Sequence, residues 1–222
     1  MEIVDVYQST RAQLLEIAAA ADGSLPVAAT PGWTVKDVYA HLTGVARDMV
    51  TGNLDGAGSP AWTARQVGER ADRTLAEVCD EWQQHADAVD AWIRDRGPNA
   101  SFMGNDIWSH QQDVRGVLGL DRQPCDDRTA TLIAAGLPYI DTRVKDAGVG
   151  PLRIVTNSLD QTIGVAGDDA PTLTTDDREL LRMVFGRRTI PQMLAAGWDR
   201  DPGTEAVELL HMFPCPESPL VD

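Results

Sequence analysis

Two histidines and one aspartate carry the most suggestive chemistry in this chain. Asp106 and His110 stand four residues apart within Asn105-Asp106-Ile107-Trp108-Ser109-His110-Gln111-Gln112-Asp113-Val114-Arg115. On a helix that spacing puts both side chains on one face, where they can grip a single ion. A third candidate, His41, lies much earlier, in Tyr39-Ala40-His41-Leu42. Two imidazoles and one carboxylate form a sensible catalytic metal set, because three protein ligands leave a position for water or substrate. Zinc suits these donors best; non-haem iron uses the same ligand types, and manganese and nickel stay open.

Each residue also has an ordinary reading. An aspartate in the first turn of a helix is favoured by the helix dipole, and a histidine beside a core is often satisfied by a neighbour, here Asp37 one turn before His41. Asp113, one turn beyond His110, can orient that imidazole from behind; an i, i+3 polar pair on a solvated face is at least as good an account. Gly186-Arg187-Arg188 offers guanidiniums suited to forked bonds with an anionic substrate, although arginines after a helix also meet its last carbonyls. Arg115 joins Arg187 and Arg188 as a substrate-binding candidate. His85 and His211 read as structural helix residues. There is no GxSxG, Walker loop, Rossmann fingerprint or HExxH.

The elements that must position these residues are mostly helical. Residues 3–21 carry Ile3, Val6, Leu14 and Ile17 on one side, an amphipathic helix ended by Gly23 and Pro26. Thr34 can cap the next, but Asp37 stands where a strict capping box wants Glu or Gln, so the signal is partial. Val35, Val38, Leu42, Val45 and Met49 then recur at helical spacing, with His41 about 80° from the centre of that seam. Residues 52–60 read as a loop and 61–73 as a helix. Thr74-x-x-Glu77 is a capping box opening a helix with Leu75, Val78, Trp82, Val89, Trp92 and Ile93 on one side, stopped by Gly97-Pro98. In the fourth long helix, closed by Gly119, the apolar stripe is Ile107, Val114, Val117 and Leu118, with His110 about 45° from its centre.

Asp126 can cap a fifth helix over 128–146, bent by Gly136 and Pro138. Four long antiparallel helices describe a four-helix bundle, a usual place to build a metal site from facing helices. The best boundary is Gly148-Val149-Gly150-Pro151. Beyond it, residues 152–156 and 161–165 read as a hairpin, 171–173 as a third strand, and helices follow from a Thr175 or Asp176 cap through Val184, over 190–196 and over 204–212. The expected division is a metal-binding bundle at 1–147 and a small α+β domain at 151–222, so the fold class is mostly α.

Composition limits the function classes. The chain of 222 residues has a net charge of −15, which repels a phosphate backbone or an anionic membrane and argues against nucleic acid or a membrane as partner. The start Met-Glu-Ile-Val-Asp lacks the basic and apolar regions of a signal peptide, and no apolar run is long enough to span a bilayer, so a cytoplasmic location is expected. Cys79, Cys125 and Cys215 show no CxxC spacing and read as reduced thiols. No heptad is long enough to decide between monomer and homodimer.

Three stretches together resemble a known family. They are residues 31–42 (Pro-Gly-Trp-Thr-Val-Lys-Asp-Val-Tyr-Ala-His-Leu), Trp62-Thr63-Ala64-Arg65-Gln66-Val67 leading to Glu81-Trp82, and His110-Gln111-Gln112-Asp113-Val114-Arg115. They look like the mycothiol-dependent maleylpyruvate isomerases of the DinB-like metalloenzyme superfamily, and residues 180–188 and 197–202 look like that family's smaller C-terminal domain. The resemblance implies a DinB-like bundle holding a divalent metal, usually zinc, through His41, Asp106 and His110. It implies mycothiol, the actinobacterial thiol, as cosubstrate in isomerising maleylpyruvate or transferring the thiol to an electrophile. It also implies an arginine of the smaller domain in substrate handling, Arg187 or Arg188. The chain departs at one position: the family's carboxylate is glutamate, and Asp106 is one methylene shorter. The rival expectations are a metal-free ligand-binding or interaction module and a thiol-independent lyase or isomerase.

Overall fold

The structure is a computed structural model and describes residues 1–220; the last two residues of the expected 151–222 domain lie outside the described residues. Its first compact unit, Glu2–Arg122, contains helices α1 (Ile3–Ala18), α2 (Val35–Thr51), α3 (Pro60–Gly68), α4 (Leu75–Gln84), α5 (Ala86–Arg96) and α6 (Ser101–Val117). Most of their starts follow from local chemistry. Thr34 Oγ1 accepts from the backbone N–H of Asp37, and the Asp37 carboxylate accepts from the N–H of Thr34 at 2.9 Å. The capping box that looked partial in the sequence is therefore closed, the shorter aspartate reaching as a glutamate would. Ser59 caps α3 ahead of Pro60, and Thr74 with Glu77 caps α4.

The single helix expected after Thr74 is two. At His85 the backbone N–H turns to the carbonyl of Trp82, three residues back, tightening the chain by one turn before α5 begins. His85 is thus a break rather than a helix-interior residue. A 3-10 turn, Gly97–Ala100, leads into α6, which begins at Ser101. Asp106 therefore sits in the second turn of α6, where the first-turn dipole account no longer applies.

Helices α1, α2, α4 with α5, and α6 pack as a four-helix bundle, with α3 laid against α2. Val6, Leu14, Val38, Trp82, Ile93 and Ile107 fill its core. Its buried aromatics keep their polar ends satisfied: Trp82 Nε1 donates to the Tyr7 hydroxyl at 3.1 Å, and Tyr39 donates to the carbonyl of Leu14 at 2.6 Å. The apolar stripe read on α6 is only half borne out. Ile107 and Val114 are buried and Val117 and Leu118 half-buried, while Asn105, Ser109, His110, Gln111, Gln112 and Asp113 are buried too. A helix covered on its polar side as well as its apolar one is what a site in the bundle interior requires.

The second unit runs from Gln123 onward and contains α7 (Asp127–Asp146), strands β1 (Leu152–Val155), β2 (Asp160–Ile163) and β3 (Thr172–Thr174), then α8 (Asp177–Val184), α9 (Ile190–Leu194) and α10 (Thr204–Leu210). The sheet order is β2-β1-β3. The expected hairpin pairs Leu152 with Ile163, and β3 adds in parallel, Arg153 opposite Thr172. Helix α7 packs on β2, α8 and α10, and its Asp141 carboxylate accepts from the N–H of Gly164 at 2.8 Å. The division between the compact units thus falls before α7, a whole helix earlier than the glycine-rich boundary read at residues 148–151. Spacing shows that α7 is amphipathic, not which neighbour covers its apolar side.

Candidate metal centre

Helices α2 and α6 bring the three singled-out residues together. His41 on α2 is buried among the seam residues; His110 and Asp106 rise from adjacent turns of α6. One ligand atom of each lies within 4.8 Å of the others. Asp106 Oδ2 is 3.6 Å from His41 Nε2, and Asp106 Oδ1 is 3.6 Å from His110 Nε2. That distance is too long for N–H···O bonds, so the three groups surround a space instead of pairing with one another. Ligands at about 2.0–2.1 Å from a tetrahedral zinc lie about 3.3 Å from each other, so this set, gathered within 4.8 Å, would draw inward to close on an ion. The donor set fits a divalent metal. The imidazoles are almost wholly buried, whereas the Asp106 side chain is 26% exposed, so solvent reaches the centre on the carboxylate side.

The far nitrogens of the two histidines are backed differently. His110 Nδ1 is 3.2 Å from Asp113 Oδ2, a contact that falls short of hydrogen-bond geometry, and Asp113 is fully buried. Burial removes the solvated-face account of this i, i+3 pair. His41 Nδ1 meets Gln66 Oε1 of α3 at 2.9 Å, and Asp37, the partner expected from sequence, is instead used in the cap of α2. Gln66 in turn donates to Asp48 Oδ2 at 2.9 Å. Trp33, half-buried, lies against both rings, its centroid 5.2 Å from His41 and 6.2 Å from His110. Gln66, Asp48 and Trp33 were missed as site residues. One signal was present: His41, Gly44 and Asp48 recur at i, i+3 and i+7, one face of α2.

The arginine candidates are placed as follows. Arg115 donates twice to the carbonyl of Asp121, at 3.1 and 2.7 Å, and so secures the chain after α6. In the second unit Arg188 forks onto Glu179 at 2.6 and 2.7 Å, and Arg187 donates to the carbonyl of Phe185 at 2.7 Å. Both are buried. His211 lies just past α10, its Nδ1 2.9 Å from the carbonyl of Phe213.

The chain's own thiols are poor nucleophiles. Burial pushes Cys79 up to about 11, and burial likewise raises Cys125 and Cys215. Beside the centre, burial above all, with the Asp106 and Asp90 charges adding to it, drives the Tyr7 phenol far above its ordinary range despite Trp82 and Arg11, so it stays neutral.

Residues 8–120 match the family model described as the mycothiol maleylpyruvate isomerase N-terminal domain. No curated protein matches the chain. Among solved structures, a crystal structure of the mycothiol-dependent maleylpyruvate isomerase is similar with a TM-score of 0.58 and 13% identity over 83% of this chain and 88% of that one. A histidine-to-alanine mutant of that enzyme gives the same TM-score and coverage at 12% identity. At such identities the likeness is one of fold. No helix among the described residues is long and apolar enough to cross a membrane.

Proposed function

The chain belongs to the mycothiol maleylpyruvate isomerase N-terminal domain family, and from that premise we propose that it is a metal-dependent thiol transferase or isomerase acting on a small electrophile, with mycothiol as cosubstrate. The observation that carries the reading is the convergence of His41, Asp106 and His110 within 4.8 Å from two facing helices. Three protein ligands would leave a position for water or substrate, and solvent reaches the centre beside Asp106. A divalent ion there, zinc by the fit of its donors, would lower the pKa of a thiol and hold it as thiolate. The reading needs a thiol from outside the chain, since Cys79, Cys125 and Cys215 are all raised away from the thiolate form.

The chain's residues do the rest. His41 and His110 direct their Nε2 atoms into the centre, Asp106 adds an anionic oxygen, and the Trp33 indole covers the imidazoles with an apolar surface. Asp113 stands behind His110 to hold its ring. For a carboxylate-bearing substrate we assign recognition to Arg187 or Arg188, whose guanidinium geometry suits forked bonds to a carboxylate. Arg115, which holds the Asp121 carbonyl, is left to its structural role.

Elemental analysis of purified protein is the test. About one equivalent of divalent metal is expected, removed by His41→Ala or His110→Ala, together with thiol-dependent turnover of an electrophile such as maleylpyruvate. Turnover without added thiol would move the chemistry to a lyase or isomerase. Absence of both stoichiometric metal and thiol consumption would leave a binding module.

A further inference from the structure

Asp48 is fully enclosed and accepts from every direction: Gln66 Nε2 at 2.9 Å, Arg65 at 2.8 Å, Asn53 at 3.1 Å and Arg47 at 3.3 Å. A carboxylate so bound is ionised and only accepts. The Gln66 side chain, itself fully buried, must therefore turn its NH2 toward Asp48, which leaves its carbonyl oxygen facing His41. That oxygen has no proton to give. A bond at 2.9 Å then requires the proton to be on His41 Nδ1, and in a neutral imidazole this leaves the Nε2 lone pair bare. Nε2 is the atom facing Asp106 and the centre.

The approach of Gln66 depends on one small residue. A Cβ built on Gly44, one turn past His41 on α2, would stand 2.5 Å from both Cβ and Cγ of Gln66. Only glycine lets the glutamine lie flat across α2 and reach back to the imidazole. The glycine of α2 and the glutamine of α3 together permit this contact with His41.

We propose that Gln66, fixed in orientation by Asp48 and admitted by Gly44, is a positioning residue that locks His41 in its Nδ1–H tautomer and so presents a ready lone pair to the metal. The inference deepens the metal reading of the same centre and adds a claim that holds without any ion. Outer contacts of this kind change metal affinity about 10–100-fold when removed.

The test uses the full chain with 15N-labelled histidine, stripped of metal at mildly alkaline pH. Long-range 1H–15N correlations are expected to show His41 protonated on Nδ1 and bare on Nε2. In Gln66→Met, which keeps the length and loses the acceptor, that tautomer is expected to give way to the Nε2–H form, and Zn2+ affinity measured by chelator competition to fall about 10–100-fold. Gly44→Ala, which keeps every polar group and displaces chiefly Gln66, with a lesser contact to Arg70 Nη1 at 3.1 Å, is expected to act the same way and serves if the methionine variant does not fold. Wild-type protein with His41 protonated on Nε2 overturns the proposal, as does a folded variant with unchanged tautomer and affinity. Wild-type protein that shows the Nδ1–H tautomer yet binds no metal refutes the metal reading and leaves the orienting contact standing.

Discussion

Asp106→Asn separates the metal reading from every purely structural account of the centre. The substitution keeps the shape and removes the charge that the two Nε2 atoms face at 3.6 Å. With its side chain 26% exposed and its shape kept by the amide, the change should alter metal-free stability by no more than about 1 kcal/mol. Metal binding should suffer far more. Loss of the anionic ligand should weaken affinity roughly a hundredfold, or about 2.7 kcal/mol.

Thermal unfolding against free Zn2+ reads the difference. At a zinc concentration about 100 times the wild-type Kd, the wild type gains about 2.7 kcal/mol, and the variant, then near its own Kd, about 0.4 kcal/mol. At roughly 2–4 °C per kcal/mol for a chain of this size, the wild type should rise about 5–10 °C and the variant about 1 °C. Equal zinc shifts in both proteins would show that Asp106 is not a ligand. A variant destabilised by several kcal/mol without metal would show instead that the carboxylate serves the fold.

Asp90→Ala should cost about 3–5 kcal/mol in urea unfolding, because it strands Arg11, a buried guanidinium now bound at 2.7 and 2.9 Å; a loss under about 1 kcal/mol would contradict this. Thr34→Ala opens the capping box of α2 and should cost about 1 kcal/mol by the same measurement. Against burial, which raises it, bonds from Gln66, Arg65 and Asn53 hold Asp48 below the usual carboxylate range, so its stabilisation is complete above the unfolded value of 3.8 and is lost as pH falls through the lower folded one. Acid unfolding followed by circular dichroism should therefore be less steep in that window for Asp48→Asn, and an unchanged profile would remove Asp48 from the account. Arg187→Lys should raise KM for a carboxylate-bearing electrophile more than it lowers kcat, and a variant with unchanged KM would free Arg187 from that role.

Much of this protein was legible in its sequence because the signals are local. Helix caps at Thr34, Thr74 and Asp126, the apolar spacing of α2, and the Asp106/His110 interval each depend on residues within one or two turns, and those positions emerged as read. The resemblance carried by residues 31–42, 62–67 and 110–115 named the family, since it draws on residue identity and not on geometry. What local spacing could not decide were matters of distance in space: that His85 ends one helix and starts another, that α7 packs with the sheet, and that α6 is covered on its polar side.

The candidate site divides in the same way. From sequence came three residues of the right chemistry, on helices, with an aspartate beyond one of them. Only the tertiary structure put His41 and Asp106 3.6 Å apart, set Asp113 behind His110 at full burial, and replaced the neighbour expected for His41 with Gln66 from another helix. The physical reason is that a glutamine, a glycine and an aspartate carry no periodic signature of their own. Their meaning arises when a missing Cβ lets one helix lie against another, and that is a property of packing, which no single helix contains.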